Sequence, residues 1–69
     1  MPRVLLNGEP QTLPDGATAA DAVRATGAPE DARGVAVALD GEVVPRGEWG
    51  STALTEGGQV EVLSAVQGG

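Results

Sequence analysis

The sequence closes on Val66-Gln67-Gly68-Gly69, two glycines and an α-carboxylate behind a stretch that reads as a strand. Few other groups in the chain are suited to covalent chemistry. It has no cysteine and no histidine, so thiol nucleophiles, disulfides, imidazole bases and the usual zinc ligands are all missing. Lysine is absent as well, which leaves the α-amino group of Met1 as the only amine. Ten acidic residues against four arginines give a net charge of -6, which repels phosphate backbones and anionic lipid surfaces. Such a residue set is not expected to catalyse by itself, to bind nucleic acid or to sit on a membrane. Its expected partners are proteins with basic docking surfaces. A Gly-Gly end taken alone is also what a frayed terminus looks like, so the elements that carry it must decide.

A chain of 69 residues has room for one domain, and at this size folding buries only about 60% of the unfolded surface. The apolar residues are almost all Val, Leu and Ala, with Trp49 as the sole aromatic, so the core must be thin. No apolar run approaches the roughly 20 residues that cross a bilayer, and the N-terminus lacks the apolar stretch of a signal peptide. The expected location is the cytoplasm. Richness in Ala, Gly, Arg and Val without Lys or Ile suggests a GC-rich genome.

Two short apolar segments flank Asn7-Gly8 in RVLLNGEPQTL, and Asn-Gly is the pair that best tolerates the positive φ angles of a tight hairpin. Pro10 has no amide to donate, which places it at an edge or outside the paired stretch. After a turn at Leu13-Pro14-Asp15-Gly16 the period changes to about 3.6, with Ala19, Ala22, Val23 and Thr26 on one face. Thr18 stands at the N-cap, Asp21 three residues on can reach the free amides of the first turn, and Gly27 is a stop signal. The helix spans roughly residues 18 to 26, too short to persist alone in water, so it must lie on a sheet.

Val35 to Leu39 is apolar on both faces and reads as a central strand. Asp40-Gly41 is a second hairpin turn, Val43 and Val44 begin the return strand, and Pro45 ends it. An irregular connection leads through Leu54 to Glu56-Gly57-Gly58 and a last strand, QVEVLSAV, in which Leu63 is an exposed apolar spot. A single Trp in so thin a core is read as packing. For Arg46 a salt bridge to a nearby carboxylate and a partner contact stay open. The order of elements gives an α+β class. The first and last strands can sit side by side at the centre of the sheet with the helix across it, as in the β-grasp arrangement; the pattern also allows a ferredoxin-like half or an SH3-like barrel.

The segment VPRGEW, Val44 to Trp49, resembles the Val-Pro-Arg-x-x-Trp stretch of the ThiS family, the sulfur carriers of thiamin biosynthesis. There the stretch follows a hairpin and precedes a strand that ends in Gly-Gly. LLNGE at the N-terminus and DGATAADAV at the helix start match the same layout, so the resemblance covers essentially the whole chain. It implies a ubiquitin-like β-grasp domain over residues 1–65, a mixed four- to five-stranded sheet with one main helix on one face, and a flexible tail at residues 66–69.

The resemblance further implies a protein co-substrate with no tightly bound cofactor. A ThiF-type enzyme consumes ATP to adenylate the carboxylate of Gly69, a sulfurtransferase or cysteine desulfurase relays sulfur from cysteine, and a ThiG-type thiazole synthase uses the resulting thiocarboxylate. With no cysteine to hold a persulfide, the C-terminus is the remaining attachment point. Glycines at 68 and 69 remove the Cβ atoms that would collide with a narrow active site. Four extended residues from Val66 reach roughly 13 Å, so Val66, Gln67 and Gly68 are the residues expected to enter the partner. The apolar sheet face opposite the helix is the expected docking surface, by analogy with ubiquitin-like domains. Three alternatives stand beside this reading. A carrier for molybdopterin or cysteine synthesis is disfavoured because LSAVQGG lacks the paired prolines common in molybdopterin-type tails. A ubiquitin-like modifier would carry arginines near its glycines, and an interaction module would make the Gly-Gly incidental.

Overall fold

A computed structural model of the chain describes residues 1–28 and 34–64. Strand β1 (Arg3–Leu6) and strand β2 (Glu9–Thr12) form an antiparallel hairpin with Leu6 opposite Glu9. Its turn residues Asn7 and Gly8 have φ of 52° and 85°, the pair of left-handed conformations that a two-residue type I′ turn needs. Val4 and Leu6 point into the core while Arg3 stays exposed, the period-two pattern of a half-buried strand. Pro10 lies opposite Leu5 on β2, which is an edge strand and tolerates a residue without an amide donor.

Helix α1 (Ala19–Ala25) starts after Thr18, whose backbone is extended. The Asp21 carboxylate accepts from the Thr18 backbone N–H at 2.8 Å and from its hydroxyl at 3.3 Å, and it pairs with the Arg24 guanidinium one turn on. The Thr18 amide first, and Arg24 after it, hold the Asp21 carboxyl below its ordinary value of 3.8. Ala19, Ala22 and Val23 are buried against the sheet, which supplies the stability that seven residues cannot supply alone. Thr26 departs from the expected apolar face. It is the exposed C-cap, and its hydroxyl donates to the Val23 carbonyl at 2.6 Å.

Strands β3 (Val35–Leu39) and β4 (Glu42–Val44) form the second hairpin across Asp40 and Gly41, with φ of 51° and 88°. The return strand thus starts one residue before the expected Val43. Past Pro45, where an irregular connection is expected, the chain makes a 3-10 helix over Arg46–Ser51. Trp49 is its one buried residue, and the Trp49 Nε1–H donates to the Val44 carbonyl at 3.0 Å, so its role in packing is as expected. A bridge between Thr18 and Ala53 ties the helix start to the chain that leaves the 3-10 turn.

Strand β5 (Gln59–Ser64) completes a five-stranded sheet ordered β2-β1-β5-β3-β4. It runs parallel to β1, with Leu5 beside Gln59 and Leu6 beside Val60, and antiparallel to β3 from Leu39↔Val60 to Val35↔Ser64. This parallel pair at the sheet's centre, with α1 packed across it, is the β-grasp arrangement and leaves no place for the ferredoxin-like or SH3-like readings. The core lies between sheet and helix. Val4, Leu6, Val37, Val60 and Val62 come from the sheet, Ala19, Ala22 and Val23 from α1, and Trp49 and Leu54 close one side.

Candidate functional site

The four tail residues singled out by the sequence, Val66, Gln67, Gly68 and Gly69, lie outside the described residues. The structure does describe the strand that carries them. Val60 and Val62 face the core, Glu61 and Leu63 face outward, and the strand is described as far as Ser64.

The two sides of β5 are held differently. Toward β3 the ladder runs the whole way to Ser64. Toward β1 it stops early, because β1 turns away at Asn7 once Leu6 has paired with Val60. The Asn7 backbone N–H still donates to the Val60 carbonyl at 2.8 Å. Its side chain then takes over: Oδ1 accepts from the Val62 N–H at 2.8 Å, and Nδ2 donates to the Val62 carbonyl at 3.3 Å. One carboxamide thus stands in for a peptide unit of the missing neighbour strand. At the start of β5 a related contact is made by Asp40, whose Oδ1 accepts from the Gln59 N–H at 2.9 Å and whose own N–H donates to the Gln59 carbonyl at 2.8 Å. Sequence reading sees Asn7 and Asp40 only as turn residues. The signal that could have shown more is their short polar side chain, able to imitate a backbone group, but partners 55 and 19 residues away are not visible in local pattern.

The face of the sheet away from α1 carries Leu5, Val43 and Leu63, of which Val43 and Leu63 are 74% and 66% exposed. Leu63 lies beside Ala36, and Ala38 lies between Val43 and the exposed Glu61. The apolar groups therefore spread over four strands around an acidic residue, and Leu63 leads into the tail. This is the face on which docking is expected.

The Arg46 guanidinium lies over the Trp49 ring, 5.6 Å from the centroid, at cation–π distance. Between α1 and the 3-10 helix a groove of about 190 Å³ is lined by Ala20, Val23, Arg24, Arg46, Trp49 and Gly50. It is on the helix side, away from the outward sheet face. Among the described residues no group of three acidic side chains is placed to hold a metal ion, and no helix is long and apolar enough to cross a membrane.

Comparison with known proteins agrees with this geometry. The model of the ThiS family matches residues 4–69. The crystal structure of a thiamine biosynthesis protein, ThiS, from Geobacter metallireducens is similar with a TM-score of 0.72 and 31% identity, over 97% of this chain and 99% of that one. The solution NMR structure of a thiamine biosynthesis protein from the same organism gives a TM-score of 0.73 and 33% identity, over 97% and 87%. Among curated proteins none matches. A family match over nearly the whole length, joined to a β-grasp sheet whose central strand leads into Gly-Gly, places the chain in the ThiS family, the small sulfur carriers of thiamine biosynthesis.

Proposed function

We propose that the chain carries sulfur as a C-terminal thiocarboxylate on Gly69. The observation that carries this reading is the family match, which runs through the terminal Gly-Gly to residue 69 of a sequence without cysteine. The α-carboxylate, with a reference pKa of about 3.3 to 3.7, is ionised at neutral pH. In the active site of a ThiF-type enzyme it attacks the α-phosphate of ATP, and pyrophosphate leaves. Sulfur relayed from cysteine by a sulfurtransferase or cysteine desulfurase then displaces AMP, and a ThiG-type thiazole synthase takes the sulfur from the thiocarboxylate. The carrier's own contribution is shape and charge. Val66, Gln67, Gly68 and Gly69 form the insert, and the glycines keep it thin. The outward sheet face with Leu5, Val43 and Leu63 docks on the enzyme, and the net charge of -6 steers the encounter with a basic surface.

Intact-mass measurement after incubation with ATP, a ThiF-type enzyme and a sulfur source tests the reading. The expected change is one oxygen replaced by one sulfur. Deleting Gly69 should abolish it, because the carboxylate is withdrawn by about 3.3 Å, while a misplacement of 1 Å can already cost about a hundredfold in rate. The unfolding midpoint of that variant should stay within about 0.5 kcal/mol of wild type. A wild-type mass that never changes, or a deletion variant that reacts as fast as wild type, overturns the proposal.

A further inference from the structure

From the way β5 is held we infer that Asn7 is a positioning residue for adenylation: its carboxamide fixes the last part of β5, and so the point from which the tail is delivered. The inference rests on the carrier reading above. Past Val60 the β1 side of the strand has no backbone neighbour from the hairpin, yet Val62 directs both its N–H and its C=O to that side. Both are taken by the Asn7 side chain, at 2.8 Å and 3.3 Å. Both hydrogen bonds are part-buried, so the loss of this side chain leaves two polar groups that only partial hydration can compensate, at a cost to the order of the strand end. Only six residues separate Val62 from Gly69. On the β3 side the ladder continues to Ser64, so the clasp governs the β1 side of the strand that leads to Gly69.

Neither a carboxylate nor a hydroxyl can replace this contact. A carboxylate has no donor for the Val62 carbonyl, and a hydroxyl is too short to span N–H and C=O together. The backbone demand is separate, since φ of 52° at this position is met by glycine as well as by asparagine. Asn7→Gly thus removes the clasp and keeps the turn.

The experiment compares wild type, Asn7→Gly and Val23→Ala in ATP–pyrophosphate exchange with a ThiF-type enzyme, at a temperature where melts show all three folded. Val23 is a core residue of α1, and its truncation supplies a destabilised control in which the end of β5 is intact. Amide exchange at Val62 is followed in parallel. The Val62 amide should lose protection in Asn7→Gly and keep it in Val23→Ala. Each residue that must be ordered again on docking costs roughly a factor of ten, so kcat/KM of Asn7→Gly should fall about tenfold. The loss should appear in KM with kcat largely kept, the pattern of a binding term that acts before chemistry. Val23→Ala should exchange as wild type does. Wild-type kinetics in Asn7→Gly, or an equal loss in Val23→Ala, overturns the positioning role, as does a Val62 amide that stays protected without the carboxamide. If wild type itself does not exchange pyrophosphate, the carrier reading fails and this inference with it, whereas reactive wild type with an equally reactive Asn7→Gly defeats the inference alone.

Discussion

The two hairpin turns have the same backbone and different duties. Asn7-Gly8 and Asp40-Gly41 agree within a few degrees, φ of 52° and 85° against 51° and 88°. Both first residues reach out to β5. Asp40 holds its entry, where Gln59 presents an N–H to the carboxylate and the Asp40 backbone amide covers the Gln59 carbonyl. Asn7 holds the strand two ladder steps past the last β1 pair, where both groups of Val62 need a side-chain partner. A carboxylate suffices where only a donor must be met. An amide is required where donor and acceptor must be met together. The choice between Asp and Asn in two otherwise equivalent turns follows from what the neighbour strand leaves unpaired.

Replacing each residue by glycine tests that difference most severely, because glycine accepts the positive φ and the comparison isolates the side chain. Asn7→Gly leaves two part-buried groups at Val62 without their partner, each costing at the low end of about 1–3 kcal/mol because water reaches them in part, so a loss of about 2–3 kcal/mol is expected. The Asp40 contact is exposed, water can replace it, and Asp40→Gly should cost about 1 kcal/mol or less. Urea denaturation of the two variants measures both. Equal costs would mean that the side-chain reach has no energetic weight and that the turns differ in sequence only.

Legibility in the sequence followed the range of the interactions. Asx-Gly pairs, the helix stop at Gly27 and the alternation of Val60 and Val62 are local, and they led to the right hairpins, helix and sheet centre. The 3-10 helix at Arg46–Ser51 was read as irregular because it buries only Trp49 and so has no hydrophobic period to read. Thr26 fits the helical spacing of Ala19, Ala22 and Val23, but its hydroxyl finds the Val23 carbonyl and the helix ends there. The clasp of Asn7 on Val62 joins residues 55 apart, and only the parallel β1–β5 pairing brings them together. The exposed apolar groups of the outward sheet face were legible in part. Leu63 stood out against the alternation, whereas the exposure of Leu5 and Val43 required the register. The tail lies outside the described residues, and its reading rests on Gly68-Gly69 and the family resemblance.

The glycines of the two turns offer a finer test, since here the turns should behave alike. At Gly8 and at Gly41 an added Cβ meets no atom within 4 Å, so the cost of alanine is only that of the left-handed backbone, about 1–2 kcal/mol. Gly8→Ala and Gly41→Ala should therefore match each other within about 0.5 kcal/mol in the same urea titration. A much larger loss at Gly8 would move the difference between the turns from the side chain to the backbone.

The smallest effect belongs to a third side chain that imitates a backbone acceptor, Asp21 at the start of α1. Like Asp40 it accepts from a main-chain N–H, here that of Thr18, and it adds an ion pair with Arg24. Both partners favour the charged form, the Thr18 amide most, and keep the carboxyl below 3.8 when folded. A carboxyl whose pKa is lower in the folded than in the unfolded chain adds stability above the unfolded value and loses it as pH falls toward the folded one. The contribution is therefore complete at neutral pH, begins to fade near 3.8, and is gone below the folded value. The group is 33% exposed, so solvent screens it, and losing such a cap costs about 1 kcal/mol at most in this setting. Asn7 has no proton to gain in this range, which makes its clasp insensitive to the same titration. The expected result is that Asp21→Asn is less stable than wild type at neutral pH, and that the gap closes below about pH 3.8 as wild-type Asp21 takes up its proton. Amide exchange reads the same event locally, with the Thr18 N–H losing protection in acid before the Val62 N–H does. A gap between Asp21→Asn and wild type that persists unchanged at pH 3 would assign the loss to packing of the first helical turn and not to charge.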